Sequence, residues 1–189
     1  MIRKFIRRVL QAPRSGRKKF RVLPVSAHGV SRERISPCAL KVTETLQKAG
    51  FAAYVVGGAV RDLMMGLHPK DFDVATDARP EEVRALFRRS RLIGRRFQIV
   101  HVMCGQETIE VTTFRGGGDG GEDDDRSADA TGRILRDNVF GSMEEDAARR
   151  DFTVNALFYD PASEEIRDYH GGAEDLRARR LRIIGDAEK

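Results

Sequence analysis

Long apolar runs are missing from this chain of 189 residues. No stretch approaches the ~18 uninterrupted apolar residues a membrane-spanning helix needs, which excludes a helical membrane protein. Cysteine is scarce: Cys38 and Cys104 stand far apart with no CxxC and no HExxH, so neither a disulfide framework nor a structural zinc site is expected, and a reducing cytoplasmic setting fits. The chain lacks G-x-G-x-x-G and the P-loop pattern, which disfavours a dinucleotide site and a Walker ATPase. It also lacks a nucleophile elbow, so covalent catalysis is not expected. His28, His68, His101 and His170 are scattered without ligand spacing and read as structural or exposed. What remains, 40% apolar and 33% charged residues in 21.2 kDa, is one domain with a tail.

Charge is unevenly spread. Residues 1–34 hold eleven Lys and Arg against Glu33 alone, while the remainder carries twenty-three basic and twenty-eight acidic residues. Residues 1–30 read as a basic arm without fixed structure. Its first 26 residues hold no acid and are candidates for RNA phosphate contact, with a solvated arm or an organelle transit peptide as the other readings. The acidic stretch 116–130 (GGGDGGEDDDRSADA) cannot bury anything and reads as a mobile loop.

Between these segments the pattern is globular, over 31–186. Ser36 caps a helix with Pro37 in its first turn, with Ala39, Val42, Leu46 and Ala49 at helical spacing until Gly50 ends it. AAYVV (52–56) reads as a buried strand, VRDLMMG (60–66) as a short helix and DFDVAT (71–76) as a strand; Pro80, Glu81 and Glu82 open another helix expected to bury Val83, Leu86 and Phe87. QIVHVMCG and ETIEVTTF form a hairpin turning at Gly105 and Gln106. Ser142 and Glu145 make a capping box for a helix running through Arg149 and Arg150, followed by strands TVNALFYD and EEIRDY and a final GGAEDLRAR segment. Helices alternating with strands give an α/β (α+β) class with a small mixed sheet flanked by helices.

The chemistry concentrates around Asp71 and Asp73. Residues two apart on a strand project from one face, so both carboxylates point outward while Phe72 enters the core. Adjacent like charges repel unless a cation sits between them, and hard oxygen ligands suit Mg²⁺; a solvated surface pair is the other reading of these two acids alone. Ahead of them Gly57 and Gly58 turn a strand into a helix and let backbone N–H groups approach an anion, with Arg61 one turn on. Two residues compete as a third acid: Glu110, on the outward face of IEVTTF, and Asp151. Arg149, Arg150 and Asn155 are candidates for holding phosphate or ribose.

Taken together, GGAVRDLMMG, KDFDVAT, IEVTTFR, EEDAARRDFTVNALFYD and YHGGAEDLRARRLRIIGD resemble the head of the class II nucleotidyltransferases, which comprise bacterial poly(A) polymerases and CCA-adding tRNA nucleotidyltransferases. The segments HGVSRERISPCALKV, RLIGRRFQIVHV and RDNVFGSMEEDAARRDFT lean toward the poly(A) polymerase branch. The resemblance implies a DNA-polymerase-β-like head in which Asp71 and Asp73 hold Mg²⁺ or Mn²⁺, Gly58 and Arg61 meet the triphosphate, and Arg149, Arg150 and Asp151 complete the site. It implies AMP transfer from ATP to RNA 3′ ends, with CCA addition as the alternative. A non-catalytic nucleotide- or RNA-binding module is the reading from a different class. The family's neck, with its acidic-acidic-x-x-Arg base reader, its body and its tail are not matched before Lys189, so the sequence reads as a catalytic head alone. The sequence leaves the oligomeric state open.

Overall fold

The computed structural model describes residues 20–94, 97–116, 125–128 and 134–185. Most of the basic arm therefore lies outside the described residues. Its last part does not: Arg21–Leu23 is a strand, β1, and Val25–His28 a helical turn, α1. β1 adds to the edge of the sheet, Leu23 packs on the core and Phe20 tilts against Tyr169 with ring centroids 5.0 Å apart. The arm thus ends earlier than its charge implied, because a free strand edge offers partners for its backbone.

The remaining elements follow in order: α2 (Pro37–Lys48), β2 (Ala53–Val56), α3 (Gly58–Met64), β3 (Asp73–Thr76), α4 (Pro80–Leu86), β4 (Ser90–Ile93), β5 (Ile99–Cys104) and β6 (Glu107–Thr113). Then come β7 (Asp125–Ala128), β8 (Ile134–Asn138), α5 (Met143–Ala148), β9 (Leu157–Asp160), β10 (Glu165–Asp168) and α6 (Gly172–Arg177). Eight strands form one mixed sheet in the order β1-β10-β9-β2-β3-β6-β5-β4, and β7 and β8 form a separate ribbon. Only β3 and β6 pair in parallel; the other neighbours in the large sheet are antiparallel.

The expected caps close as the sequence dictates. Ser36 Oγ accepts from the Ala39 N–H at 3.0 Å, Ser142 Oγ from the Glu145 N–H at 3.3 Å, and Glu82 reaches back to the Arg79 N–H at 2.7 Å. Five expectations need correction. The helix capped by Ser142 ends at Ala148 with Arg149 as its C-cap, and does not run through Arg150. The strand at 71–76 begins only at Asp73, leaving Asp71 in the preceding loop. TVNALFYD opens with a 3-10 turn at Thr153–Asn155, because the hydroxyl of Thr153 is drawn to buried Asp175 at 2.7 Å; the strand begins at Leu157. Part of the acidic stretch, Asp125–Ala128, pairs with Ile134–Asn138 instead of spanning a loop. The cysteines, 66 residues apart, meet as a disulfide with their Cα atoms 5.8 Å apart, because α2 crosses the sheet and brings its first turn against the end of β5.

Each face of the sheet has its own apolar cluster. Val55, Val74, Val100, Val102, Ile109, Val111, Leu157 and Tyr159 pack with α2, α3 and α4 through Val42, Leu46, Val60, Leu63 and Val83. On the other face Tyr54, Val56, Ala75, Phe114 and Phe158 pack with α5 through Ala147. Alternation along each strand therefore assigns every second residue to the α5 face. The candidate site lies on that face.

Candidate active site

A single row of register partners crosses the α5 face. Phe158 pairs with Val56, Val56 with Asp73, Asp73 with Glu110, Glu110 with His101, and His101 with Arg91. The row passes from buried apolar side chains beneath α5 to two acids, an imidazole and an exposed arginine at the free edge strand. Phe72 is 7% exposed while Asp71 and Asp73 on either side of it are open, as the spacing of the pair requires.

Lost solvation and crowding make Asp73 costly to ionise. The Asp73 carboxyl is pushed above its usual value, first by loss of solvation, then by Glu110; Arg150 opposes the shift and Asp71 adds to it. Three carboxylates therefore share one electrostatic neighbourhood. Asp151 stands apart from it. Its Oδ1 accepts from the Phe152 N–H at 2.7 Å and from Asn155 Nδ2 at 3.1 Å. Desolvation works against ionisation there, but these bonds and Arg150 outweigh it and hold the carboxyl below its ordinary value.

Asn155 gathers the positive groups. Its side-chain oxygen accepts from Arg61 Nη1 at 2.9 Å and its backbone carbonyl from Arg150 Nη1 at 3.3 Å. Arg61 also binds Asp62, at 2.8 and 2.9 Å, the pairing that a purely structural role would require. Arg150 is aimed by two further contacts: Nη2 donates to Asp146 at 3.1 Å, and its guanidinium lies 5.1 Å over the Phe158 ring. Gly57, at φ +71°, immediately follows the register partner of Asp73; a Cβ there would sit 3.4 Å from Arg150 Nη1, and one at Gly58 3.5 Å from Arg61 Nη2. A Cβ at either position would stand in ordinary contact with a guanidinium, so it is the positive φ that calls for glycine at 57.

Several members of the site were not evident from sequence. Asp146, buried beneath the site, accepts from the Arg115 N–H at 3.2 Å as well as from Arg150. Arg115 stacks 4.4 Å over the Phe97 ring and joins Thr112, Asp146, Arg149 and Arg150 around a 250 Å³ recess. Burial and the charge of Arg149 press the Arg115 guanidinium downward, with Asp146 and Glu110 opposing. His101, expected to be merely structural or exposed, places Nε2 3.6 Å from Glu110 Oε2. The signals were present as IEVTTFR and as the alternation of β5, but only strand pairing brings His101 to Glu110. His28 is buried, donating to or accepting from neighbours as a structural histidine does.

Among the described residues, no cluster of three or more acid, His or Cys side chains closes tightly enough to cage a metal ion by itself. The donor set still fits Mg²⁺, which takes one or two carboxylates and completes its shell with water and substrate phosphate. Asp71, Asp73 and Glu110 supply hard oxygen, and the raised Asp73 carboxyl marks a place where a cation would relieve repulsion.

The model of the poly(A) polymerase head domain matches residues 53–182, spanning β2 to α6 and every site residue above. The chain belongs to that family. This head domain is 50% identical over 192 residues to "Poly(A) polymerase I" of Salmonella typhi, covering 97% of the chain and 41% of that relative. It is 43% identical over 151 residues to the "CCA-adding enzyme" of Lactobacillus helveticus, covering 80% of the chain and 36% of the relative. The crystal structure of the Bacillus stearothermophilus CCA-adding enzyme in complex with CTP matches with a TM-score of 0.63 at 38% identity, over 82% of this chain and 35% of that one. The head domain therefore spans about two fifths of the curated poly(A) polymerase it matches. Its relatives are nucleotidyltransferases, and the fold is the nucleotidyltransferase head expected from sequence.

Proposed function

We propose that this domain transfers AMP from ATP to the 3′ end of RNA, in the bacterial cytoplasm, with Mg²⁺ held at Asp71 and Asp73. The observation that carries the proposal is the register of Asp73 with Glu110 on one side and with the strand leading into Gly57 on the other. Acids and a glycine-built anion turn thus stand next to each other on a rigid sheet. Bound there, Mg²⁺ would neutralise triphosphate charge and favour ionisation of the attacking hydroxyl.

The chain's own groups divide the remaining work. Arg61 and Arg150, fixed by Asn155, meet the triphosphate beside the diglycine turn, and Arg149 lies at the rim of the recess. Glu110, held near His101, is the third acid and is placed to take the proton of the 3′-hydroxyl. Asp151 fixes Asn155 and through it Arg61, acting as a positioning residue. Poly(A) addition is favoured over CCA addition by the greater identity and coverage of the poly(A) polymerase relative.

Incubation of the chain with an oligoribonucleotide, ATP and Mg²⁺ tests the proposal. Extension of the RNA by A residues with release of pyrophosphate is expected, and its loss in Asp71→Asn and Asp73→Asn. Extension undiminished in both variants would overturn the assignment. Incorporation of CTP and growth limited to three nucleotides on tRNA would indicate CCA addition. Nucleotide binding without pyrophosphate release would leave a binding module.

A further inference from the structure

Among the described residues, helices cover only half of the α5 face of the sheet. Over β9, β2 and β3 it packs against α5. Over β6, β5 and β4 the helices that make contact, α2 and α4, lie on the opposite face, while Arg91, Ile93 and Thr108 on the α5 face are exposed. The acids stand at the boundary between the covered and open halves.

Sheet order gives this boundary a direction. The diglycine turn, Arg61 and Arg150 lie on the β2 side of Asp73, whereas Glu110 lies on the β6 side. Phosphoryl transfer in line requires the attacking and leaving oxygens on opposite sides of the phosphorus. With the triphosphate on the β2 side, the attacking 3′-hydroxyl must arrive from the β6 side. What it would cross is suited to a polyanion with bases: Arg91 is exposed at the sheet edge, and Phe97, 37% exposed, carries the Arg115 guanidinium on its ring. Single-stranded nucleic acid is held by this combination of cationic groups along the backbone and aromatic faces under the bases.

We infer that the open half of this face, from Glu110 past His101 and the Phe97 and Arg115 stack to Arg91, is the track by which a single-stranded RNA 3′ segment reaches the acids. The inference rests on the proposed function for its polarity. The track runs along the register row, so the terminal nucleotide lies over β6 and β5 and preceding nucleotides leave over the β4 edge.

The test measures binding of a 5′-fluorescein-labelled oligo(A) RNA to the full 189-residue chain by anisotropy, over a range of salt. Arg91→Glu and Phe97→Ala are compared with Lys41→Glu, a charge reversal on α2 on the opposite face. Arg91→Glu should weaken binding at least about fivefold and reduce the salt slope by about one, consistent with loss of one phosphate contact. Phe97→Ala should weaken binding with the slope unchanged, while Lys41→Glu stays within about twofold of the parent. Affinity for Mg²⁺ and ATP should be unaltered in Arg91→Glu, which shows that the chain is folded. Equal losses in Arg91→Glu and Lys41→Glu, no loss in either, or no RNA bound by the parent would overturn the track. So would a dimer of the parent that Arg91→Glu dissociates, since a second copy would then occupy the face. RNA bound through Arg91 and Phe97 with no AMP transferred would sink the proposed function and leave the surface standing; AMP transfer with RNA affinity insensitive to both would sink the track alone.

Discussion

Asp73 on β3 and Glu110 on β6 are direct partners in the one parallel pairing of the large sheet. Parallel neighbours normally need a long crossover, and here α4, β4 and β5 supply it. The pairing sets Glu110, and not Asp151, in the neighbourhood that raises the Asp73 carboxyl. Glu110→Gln should therefore lower AMP transfer by roughly two orders of magnitude with little change in the KM for ATP. Asp151→Asn should act through Asn155 and Arg61, raising the KM for ATP by about tenfold. Steady-state kinetics over a range of ATP concentrations separates the two, and the reverse pattern would exchange their roles.

Gly57 offers a test of the turn. At φ +71°, with Arg150 Nη1 3.4 Å from where a Cβ would stand, Gly57→Ala should cost about 1 to 2 kcal/mol of stability. It should also weaken ATP binding, because relief of the positive φ would shift the turn proposed to meet the triphosphate. Calorimetric titration with a non-hydrolysable ATP analogue reads the second effect.

Asp73 links metal to pH. Its carboxyl is raised above the ordinary 3.8, so the folded chain holds that proton more tightly than the unfolded one. Stability then falls as pH rises from 3.8 through the raised folded value, and the full penalty is present at neutral pH. Mg²⁺ should raise Tm at neutral pH, with the effect shrinking as pH falls toward 3.8. Asp73→Asn should raise the Tm of the metal-free chain at neutral pH and blunt the response to Mg²⁺. Thermal scans with and without Mg²⁺ check both.

Asp175 has the opposite sign. Buried at 2% exposure, it accepts from Thr153 at 2.7 Å and from Arg182 Nε at 2.9 Å. The Thr153 bond chiefly holds its carboxyl below the ordinary 3.8; desolvation opposes, and Arg182 assists. Its contribution is therefore complete above 3.8 and is lost as pH falls through the lower folded value. Asp175→Asn should cost about 1.5 kcal/mol at neutral pH through loss of charge-assisted hydrogen bonds. Urea unfolding at neutral and acid pH should show the gap between parent and variant closing at the acid end.

Much of the site could be read from residue order. Alternation placed Phe72 inward between exposed Asp71 and Asp73, although Asp71 lies ahead of the strand, and the diglycine marked the turn from β2 into α3. Arg115, Asp146 and His101 escaped notice because each acquires a role from a partner elsewhere along the chain, Phe97, the Arg115 N–H and Glu110, although Asp146 also binds Arg150 only four residues on. The pairing of Cys38 with Cys104 and the docking of Arg21–Leu23 on β10 were hidden for the same reason.

Local chemistry, through capping side chains, alternation of apolar residues and glycine positions, determined which segments become helices or strands and which face of each turns outward. Only the tertiary structure decided which strands lie side by side and in what register. That choice depends on burying two apolar faces at once, against α2, α3 and α4 on one side and α5 on the other, a condition no short stretch of chain expresses by itself.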